Sequence, residues 1–293
     1  MKFSKRDIQG QLKALGVAEG DVIFVSSDLL KVGYFNVNRA QTIRDWIDIF
    51  AQLLGPSGTI ILPTYSDVAL RFGRAPIPIF TQDSQSTSGS LANAYITLVS
   101  DAIRSSHPIY SCIAVGPLAI ELEKHTVQSG AYDPYGLVIE HNGKNLMLGT
   151  IDEINCPMPF HFAQQTLGHT RTHPLSGVFK TSYVNKAGEV IDYIMREIGG
   201  CTRGVHNIWG RHLAQKAVVF GQVGRSLSGL VDAAKSYAIC VDVLRNQPGL
   251  IRCDNKLCLS CYGRYRYNSA NILTFYPRKT YHMISNFLKL RIG

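Results

Sequence analysis

Gly20-Asp21-Val22-Ile23-Phe24-Val25-Ser26-Ser27-Asp28-Leu29-Leu30 enters from a polar turn, runs apolar for four residues and leaves into hydroxyls. The β-branched content of 22–25 predicts a buried strand. Before it, the spacing of Ile8, Leu12 and Leu15 predicts a helix over 4–17 that stops near Gly16. After it, Ile43, Trp46, Ile47, Phe50 and Leu54 predict a helix over 39–54, halted by Gly55-Pro56. Thr59 to Leu62 then reads as a second strand, 66–87 as an irregular excursion, and Gly89 to Val99 as a helix. A strand over 112–115, a helix over 117–125 and a strand over 145–149 continue the alternation. Such alternation predicts an α/β fold, a three-layer α/β/α sandwich. Lys186-Ala187-Gly188 between two strand-like runs in 178–195 predicts a hairpin, and 226–246 reads as the last helix. Gly116, Gly149 and Gly221 read as turn glycines. We expect one catalytic domain over 1–250 and a basic, aromatic extension over 251–293 packed on or near it.

The bulk properties exclude several classes. With 45% hydrophobic and 17% charged residues among 293, the chain is a packed globular protein. No apolar run approaches the roughly 18 residues of a membrane span, and the polar start Met1-Lys2-Phe3-Ser4-Lys5-Arg6-Asp7 lacks a signal-peptide core. A cytoplasmic protein with seven reduced cysteines is expected. The net charge of +9 is uneven: 251–293 holds eight Lys/Arg and one acid, Asp254, which leaves only +2 for the rest.

Three polar stretches carry the candidate chemistry. Ser26 and Ser27, with Leu29 and Leu30 behind them, sit where a buried strand opens into a turn, a place suited to binding an anionic group. Arg104-Ser105-Ser106-His107-Pro108-Ile109-Tyr110-Ser111 places hydroxyls, an imidazole and a restrained backbone in one turn. Pro157-Met158-Pro159-Phe160-His161 offers a histidine, the commonest general base near neutral pH. The plain alternatives are a Ser-rich strand exit, a capping His107 and a satisfied core His161. No P-loop or G-x-G-x-x-G is present.

Together with Leu12-Lys13-Ala14-Leu15-Gly16-Val17, Leu54-Gly55-Pro56-Ser57-Gly58-Thr59, Ser88-Gly89-Ser90-Leu91-Ala92, Gly143-Lys144-Asn145-Leu146-Met147-Leu148-Gly149 and Gly221-Gln222-Val223-Gly224, these stretches resemble the aminoglycoside 3-N-acetyltransferase-like (antibiotic N-acetyltransferase) family. The resemblance fades near residue 250. It implies that family's fold and transfer of an acyl group from acetyl-CoA or another short acyl-CoA to an amine on a sugar. It implies His161 as the base, with His107 and Gln164 as further catalytic residues. Ser26, Ser27, Leu29, Leu30, Arg104, Ser105, Ser106, His107 and Ser111 then contact the coenzyme, with serine hydroxyls of 105–111 available to the oxyanion. Where the family has Glu three residues after the histidine this chain has Gln164, and Met158 stands where the family has Thr. An amide can orient an imidazole but cannot stabilise an imidazolium by charge.

Cys253-x4-Cys258-x2-Cys261 has ligand-like spacing, which Cys240 or His282 would complete, yet no second pair accompanies it and no metal is expected. Cys156 as a nucleophile is unnecessary for direct transfer, and Pro174 breaks the His169-x3-His173 spacing. The basic balance favours an anionic acceptor, a dTDP- or UDP-linked amino-deoxy sugar of surface-polysaccharide synthesis, over a polycationic aminoglycoside. An aminoglycoside N-acetyltransferase and a non-catalytic coenzyme-binding relative are the competing readings. Small-molecule partners are expected, no nucleic acid, and a homodimer is compatible.

Overall fold

A computed structural model describes residues 3–36, 38–151 and 155–292, with side chains through 287. Its centre is a seven-stranded sheet of β1 (Val22–Ser27), β2 (Thr59–Pro63), β3 (Ile103–Arg104), β4 (Cys112–Val115), β5 (Lys144–Leu148), β6 (Val218–Val223) and β7 (Ser226–Asp232). The strand order is β6-β7-β5-β1-β2-β4-β3. Only the three central strands run parallel, β1 pairing β2 at Phe24 and Ile61 and pairing β5 at Ser26 and Met147. The outer pairs are antiparallel.

The period-2 alternation of each strand sorts its side chains into two cores. Ile23, Val25, Ile60, Leu62 and Ile113 meet helices α1 (Lys5–Leu15), α2 (Arg39–Leu54) and α3 (Ser90–Leu98) through Leu12, Trp46, Phe50, Leu91 and Tyr95. Phe24, Ile61 and Ala114 face the other way, onto Tyr135 and Val138 of α4 (Asp133–Glu140). Two apolar faces on one sheet are what a three-layer sandwich requires. Helix α5 (Pro159–Thr166) packs on α6 (Ala233–Asn246) through Phe160, Ala163, Cys240, Val243 and Leu244. A smaller sheet stands apart. The predicted hairpin forms it, Phe179–Val184 against Val190–Ile194, and it takes Ala69–Leu70 and Ile79–Phe80 of the excursion as further strands.

Three expectations need correction. Residues 226–232 are strand β7, not the start of a helix. Ser226-Leu227-Ser228-Gly229-Leu230-Val231 turns back from β6 at Gly224 and inserts between β6 and β5, so long-range pairing overrides the local apolar spacing. The expected helix over 117–125 is a 3-10 segment, Ala119–Lys124. Beyond residue 251 a further helix forms, α7 (Ile272–Ile292), despite Pro277 inside it. No helix among the described residues is long and apolar enough to cross a membrane.

Of the expected turn glycines, Gly116 (φ +117°) and Gly149 (φ +68°) occupy the left-handed region, whereas Gly221 lies within β6 under Leu15. A Cβ on Gly116 would also stand 2.2 Å from the Gly58 carbonyl oxygen at the entry to β2. Gly168 (φ +71°) faces open space. Gly116→Ala should therefore cost at least ~3 kcal/mol in urea unfolding, and Gly168→Ala only about 1 kcal/mol. Equal losses would contradict this packing.

Candidate functional site

Pro157 and Pro159 restrict the chain before α5, and Pro159 occupies the first helical turn, where its missing N–H costs nothing. The helix then carries His161 and Gln164 on one face, three residues apart. His161 Nδ1 lies 3.0 Å from Gln164 Oε1, and the peptide N–H of Gly200 donates to the same oxygen at 2.8 Å. A peptide N–H only donates, so it fixes which end of the amide is oxygen. His161 must then donate through Nδ1, and its Nε2 carries the lone pair. Cys156 Sγ is 3.6 Å from Nε2. On its other end Gln164 donates from Nε2 to the Tyr267 hydroxyl at 3.2 Å, which in turn lies 2.8 Å from His169 Nδ1.

The imidazole stacks on Tyr132, with centroids 5.2 Å apart and planes 20° from parallel. Gly199 and Gly200 cross close above it. A Cβ on Gly199 would stand 2.7 Å from His161 Nδ1, and one on Gly200 2.2 Å from Gln164 Nε2. Burial in this packing pushes the His161 pKa down to about 4, against the opposing pull of the Gln164 hydrogen bond. The ring is thus neutral at physiological pH, with Nε2 able to accept a proton.

The 104–111 run plays another part than expected. Arg104 donates to the carbonyls of Gln82 (2.8 Å), Ser84 (2.6 Å) and Thr64 (2.9 Å) and to Ser111 Oγ (3.2 Å), so its guanidinium holds the 66–87 excursion to β2 and offers nothing to a coenzyme phosphate. Ser111 Oγ donates to the Thr64 carbonyl at 2.7 Å. Ser105 Oγ accepts the Cys112 N–H at 2.9 Å and lies 3.0 Å from His125 Nδ1. Both serines are fully buried and internally bonded, which removes them as oxyanion donors. His107 is 1% exposed. Its Nδ1 accepts the N–H groups of Ile109 and Tyr110 at 3.2 and 3.0 Å, and its Nε2 meets the Tyr193 hydroxyl at 3.2 Å. It caps the turn. Ser106 is half-buried and its N–H donates to the His125 carbonyl.

Sequence reasoning missed His125, which stacks on His107 at 4.9 Å and bridges Ser105 to the Gly130 carbonyl. It also missed Gly199, Gly200 and Tyr267, which no local pattern marks as neighbours of α5.

The early serines line a different feature. Ser27, Asp28, Leu29 and Leu30 form one wall of a recess of about 380 Å³, faced by Arg39, Thr87, Ser88, Gly89, Ser90, Thr150 and Asn155. The Asp28 carboxylate is engaged by the N–H groups of Leu30 and Lys31. It lies beyond the carboxyl ends of β1 and β5, where open α/β sheets place ligands. Helix α3 starts at Ser90 in its wall without a side-chain cap, leaving N–H groups free for an anion. The Oγ of Ser26 and Oγ1 of Thr150, buried beside it, have no hydrogen-bond partner among the described residues. Leu29 is shared with the core, whereas Leu30 is exposed.

Burial depresses the pKa of His107 to about 3 and of His125, His161 and His169 to about 4. An unfolded chain titrates these groups near 6.5, so between about pH 6.5 and 4 it binds protons that the folded chain refuses. Stability should be full above pH 6.5 and fall with acidity by up to about 1.4 kcal/mol per pH unit for each histidine. Urea midpoints at pH 7.5, 6 and 5 check this; a flat profile would show that these imidazoles are not buried neutral.

A family model described as aminoglycoside 3-N-acetyltransferase matches residues 24–245. Aminoglycoside N(3)-acetyltransferase III of Serratia marcescens is 30% identical over 171 residues, 54% of this chain and 62% of that enzyme, so the aligned stretch spans less than two thirds of its length. The apoenzyme of aminoglycoside acetyltransferase AAC(3)-IVa superposes with a TM-score of 0.70 at 21% identity, covering 89% of this chain and 96% of that one. AAC-IIIb, solved as a binary complex with CoASH, gives 0.63 at 24% identity, covering 84% and 98%. At these identities the two structures bear on the fold, and they share its α/β architecture. The match over 24–245 takes in β1, the 104–111 turn, His161 and the β6–β7 hairpin, and on it the chain belongs to the aminoglycoside 3-N-acetyltransferase family.

Proposed function

We propose that this chain transfers an acetyl group from acetyl-CoA to an amine of an aminoglycoside-type amino sugar, with His161 Nε2 as proton acceptor. The amine nitrogen attacks the thioester carbonyl carbon, the C–S bond breaks, and coenzyme A leaves as thiolate. The proton lost by the nitrogen passes to Nε2 and from there to the thiolate or solvent. The observation that carries the proposal is the fixed tautomer: Gln164 Oε1, held by the Gly200 N–H, accepts a hydrogen bond from Nδ1–H, so the lone pair lies on Nε2. The recess at Ser27, with the α3 N-terminus and Arg39 in its wall, is the proposed seat of the coenzyme's phosphates. No oxyanion donor is assigned to Ser105 or Ser111, whose hydroxyls are bonded within the protein.

The acceptor proposed here is the competing one of the sequence analysis, because the relatives support an aminoglycoside and none supports a nucleotide-linked sugar. The argument from net charge weakens in the folded chain. Most of the excess sits beyond residue 251, where several cations are already engaged: Arg264 donates to the His169 carbonyl, Lys279 to the Leu257 carbonyl and Lys256 to the Tyr262 hydroxyl. Meanwhile Phe162, next to His161, lines a recess of about 270 Å³ with Glu121, Asp133 and Glu140 against a single Lys124. That sign of charge suits a polycation.

Release of free thiol from acetyl-CoA, with an aminoglycoside or a nucleotide-linked amino sugar as acceptor, tests the assignment. Turnover with the aminoglycoside is expected, and turnover with the nucleotide-linked sugar alone would overturn it. His161→Ala should lower kcat by roughly 10²–10⁴-fold while coenzyme binding persists. Gln164→Glu should raise the His161 pKa by placing a carboxylate against Nδ1. The acid limb of kcat/KM, expected near pH 4 in the native enzyme, should move upward in this variant. An unchanged limb would mean that His161 is not the titrating base.

A further inference from the structure

We infer that Cys201, Cys253, Cys258 and Cys261 form a structural zinc site that fastens the C-terminal extension to the wall of the catalytic site. The sequence offered three of these thiols, with Cys240 or His282 as candidates for the fourth ligand. Folding supplies it from Cys201, fifty-two positions before Cys253. The four sulfurs all lie within 4.8 Å of one another. Thiolates at ~2.3 Å around a tetrahedral ion stand about 3.8 Å apart, so the cluster needs only a slight contraction to close on a metal. Cys240 belongs to the separate core cluster between α5 and α6, and His282 is not in the group.

The surroundings fit a closed site. All four cysteines are free thiols; Cys253 and Cys261 are buried and the other two half-buried. Tyr262 and Phe275 cover them, and the Cys253 N–H points at Cys261 Sγ from 3.5 Å. The two chain segments are pressed together just beside the thiols. A Cβ on Gly204 would stand 2.1 Å from the Ile251 carbonyl oxygen, a distance only glycine tolerates. Four thiolates around a divalent ion carry a net charge of two minus, and Arg252 and Lys256 stand over the Tyr262 ring to offset it. Four sulfurs with no open position select zinc in a structural role over the harder cations.

The site would also explain how 251–267 holds its shape. Its regular structure amounts to Leu259–Tyr262 and Tyr265–Tyr267, too short to be stable alone. Both arms of the cluster reach Gln164: Gly200, next to Cys201, donates to its Oε1, and Tyr267, six residues after Cys261, accepts from its Nε2. The metal is thus a positioning element for the amide that orients His161. Metal content is independent of the acyltransfer reading; only an effect on turnover rests on it.

The full chain, purified without chelator, is dialysed against metal-free buffer and its metal measured by mass spectrometry. About one zinc per chain is expected. Cys258→Ser and Cys261→Ala should each retain a tenth or less, whereas Cys112→Ala and Cys240→Ala keep the native content. Because a cysteine variant can misfold, the wild type is also emptied and titrated with cobalt(II), which should produce the thiolate charge-transfer bands of a four-sulfur site. A wild-type chain that holds no zinc, shows no such bands and exposes all four thiols to a thiol reagent would overturn the proposal. So would a disulfide between any two of them, or iron in place of zinc.

Discussion

One side-chain amide governs the centre of this molecule. Gln164 is fully buried on α5, and its oxygen accepts from both His161 and Gly200 while its nitrogen donates to Tyr267. Three segments distant in sequence therefore meet through five polar atoms, each with its hydrogen-bond role assigned. A buried amide left unsatisfied costs about 1–3 kcal/mol, so the network resists rearrangement. Its consequence for chemistry is the tautomer of one imidazole. A carboxylate at this position would hold the ring as well and strengthen it as a base; the amide holds it without adding charge. Burial keeps the ring neutral down to low pH, and the amide's hydrogen bond offsets that only in part.

The extension beyond residue 251 acquires a role in this scheme. From its composition it was a basic, aromatic stretch that could serve any anionic partner. In the folded chain Arg264 and the hydroxyls of three of its tyrosines bond within the protein, whereas Tyr265, Arg266, Arg278 and Tyr281 stay exposed. Tyr267 meets Gln164 and His169, Tyr262 donates to the Cys253 carbonyl, and Tyr276 donates to the Gly263 carbonyl. The extension is part of the wall around His161, not an appendage. The residues that make these contacts from the extension lie outside 24–245, the stretch that the family model matches.

Much of the fold was legible because each strand buries alternate residues on two faces and each helix is punctuated by glycine or proline. Gly16, for instance, caps α1 in the left-handed region where the pattern ended. Strand β7 was not legible, since Leu227, Leu230 and Val231 fit either period and only pairing with β6 and β5 decides. In the site, His161 and Gln164 were readable from a motif on one helix. The 104–111 turn was less legible. Arginine, serine and histidine there suggested ligand contacts, but residue type does not reveal direction, and these groups point into the protein. Gly199, Gly200, Tyr267 and Cys201 could not be found locally, because their meaning lies in contacts across long sequence separations.

The central claim is that His161 stands neutral with its proton on Nδ1 and its lone pair on Nε2. Nitrogen-15 NMR of the histidine rings, assigned by comparison with His161→Ala, reads this state directly. At pH 7 the account predicts a protonated Nδ1 and an unprotonated Nε2, with the ring titrating near pH 4. A proton on Nε2, or titration near the ordinary value of 6.5, would contradict it.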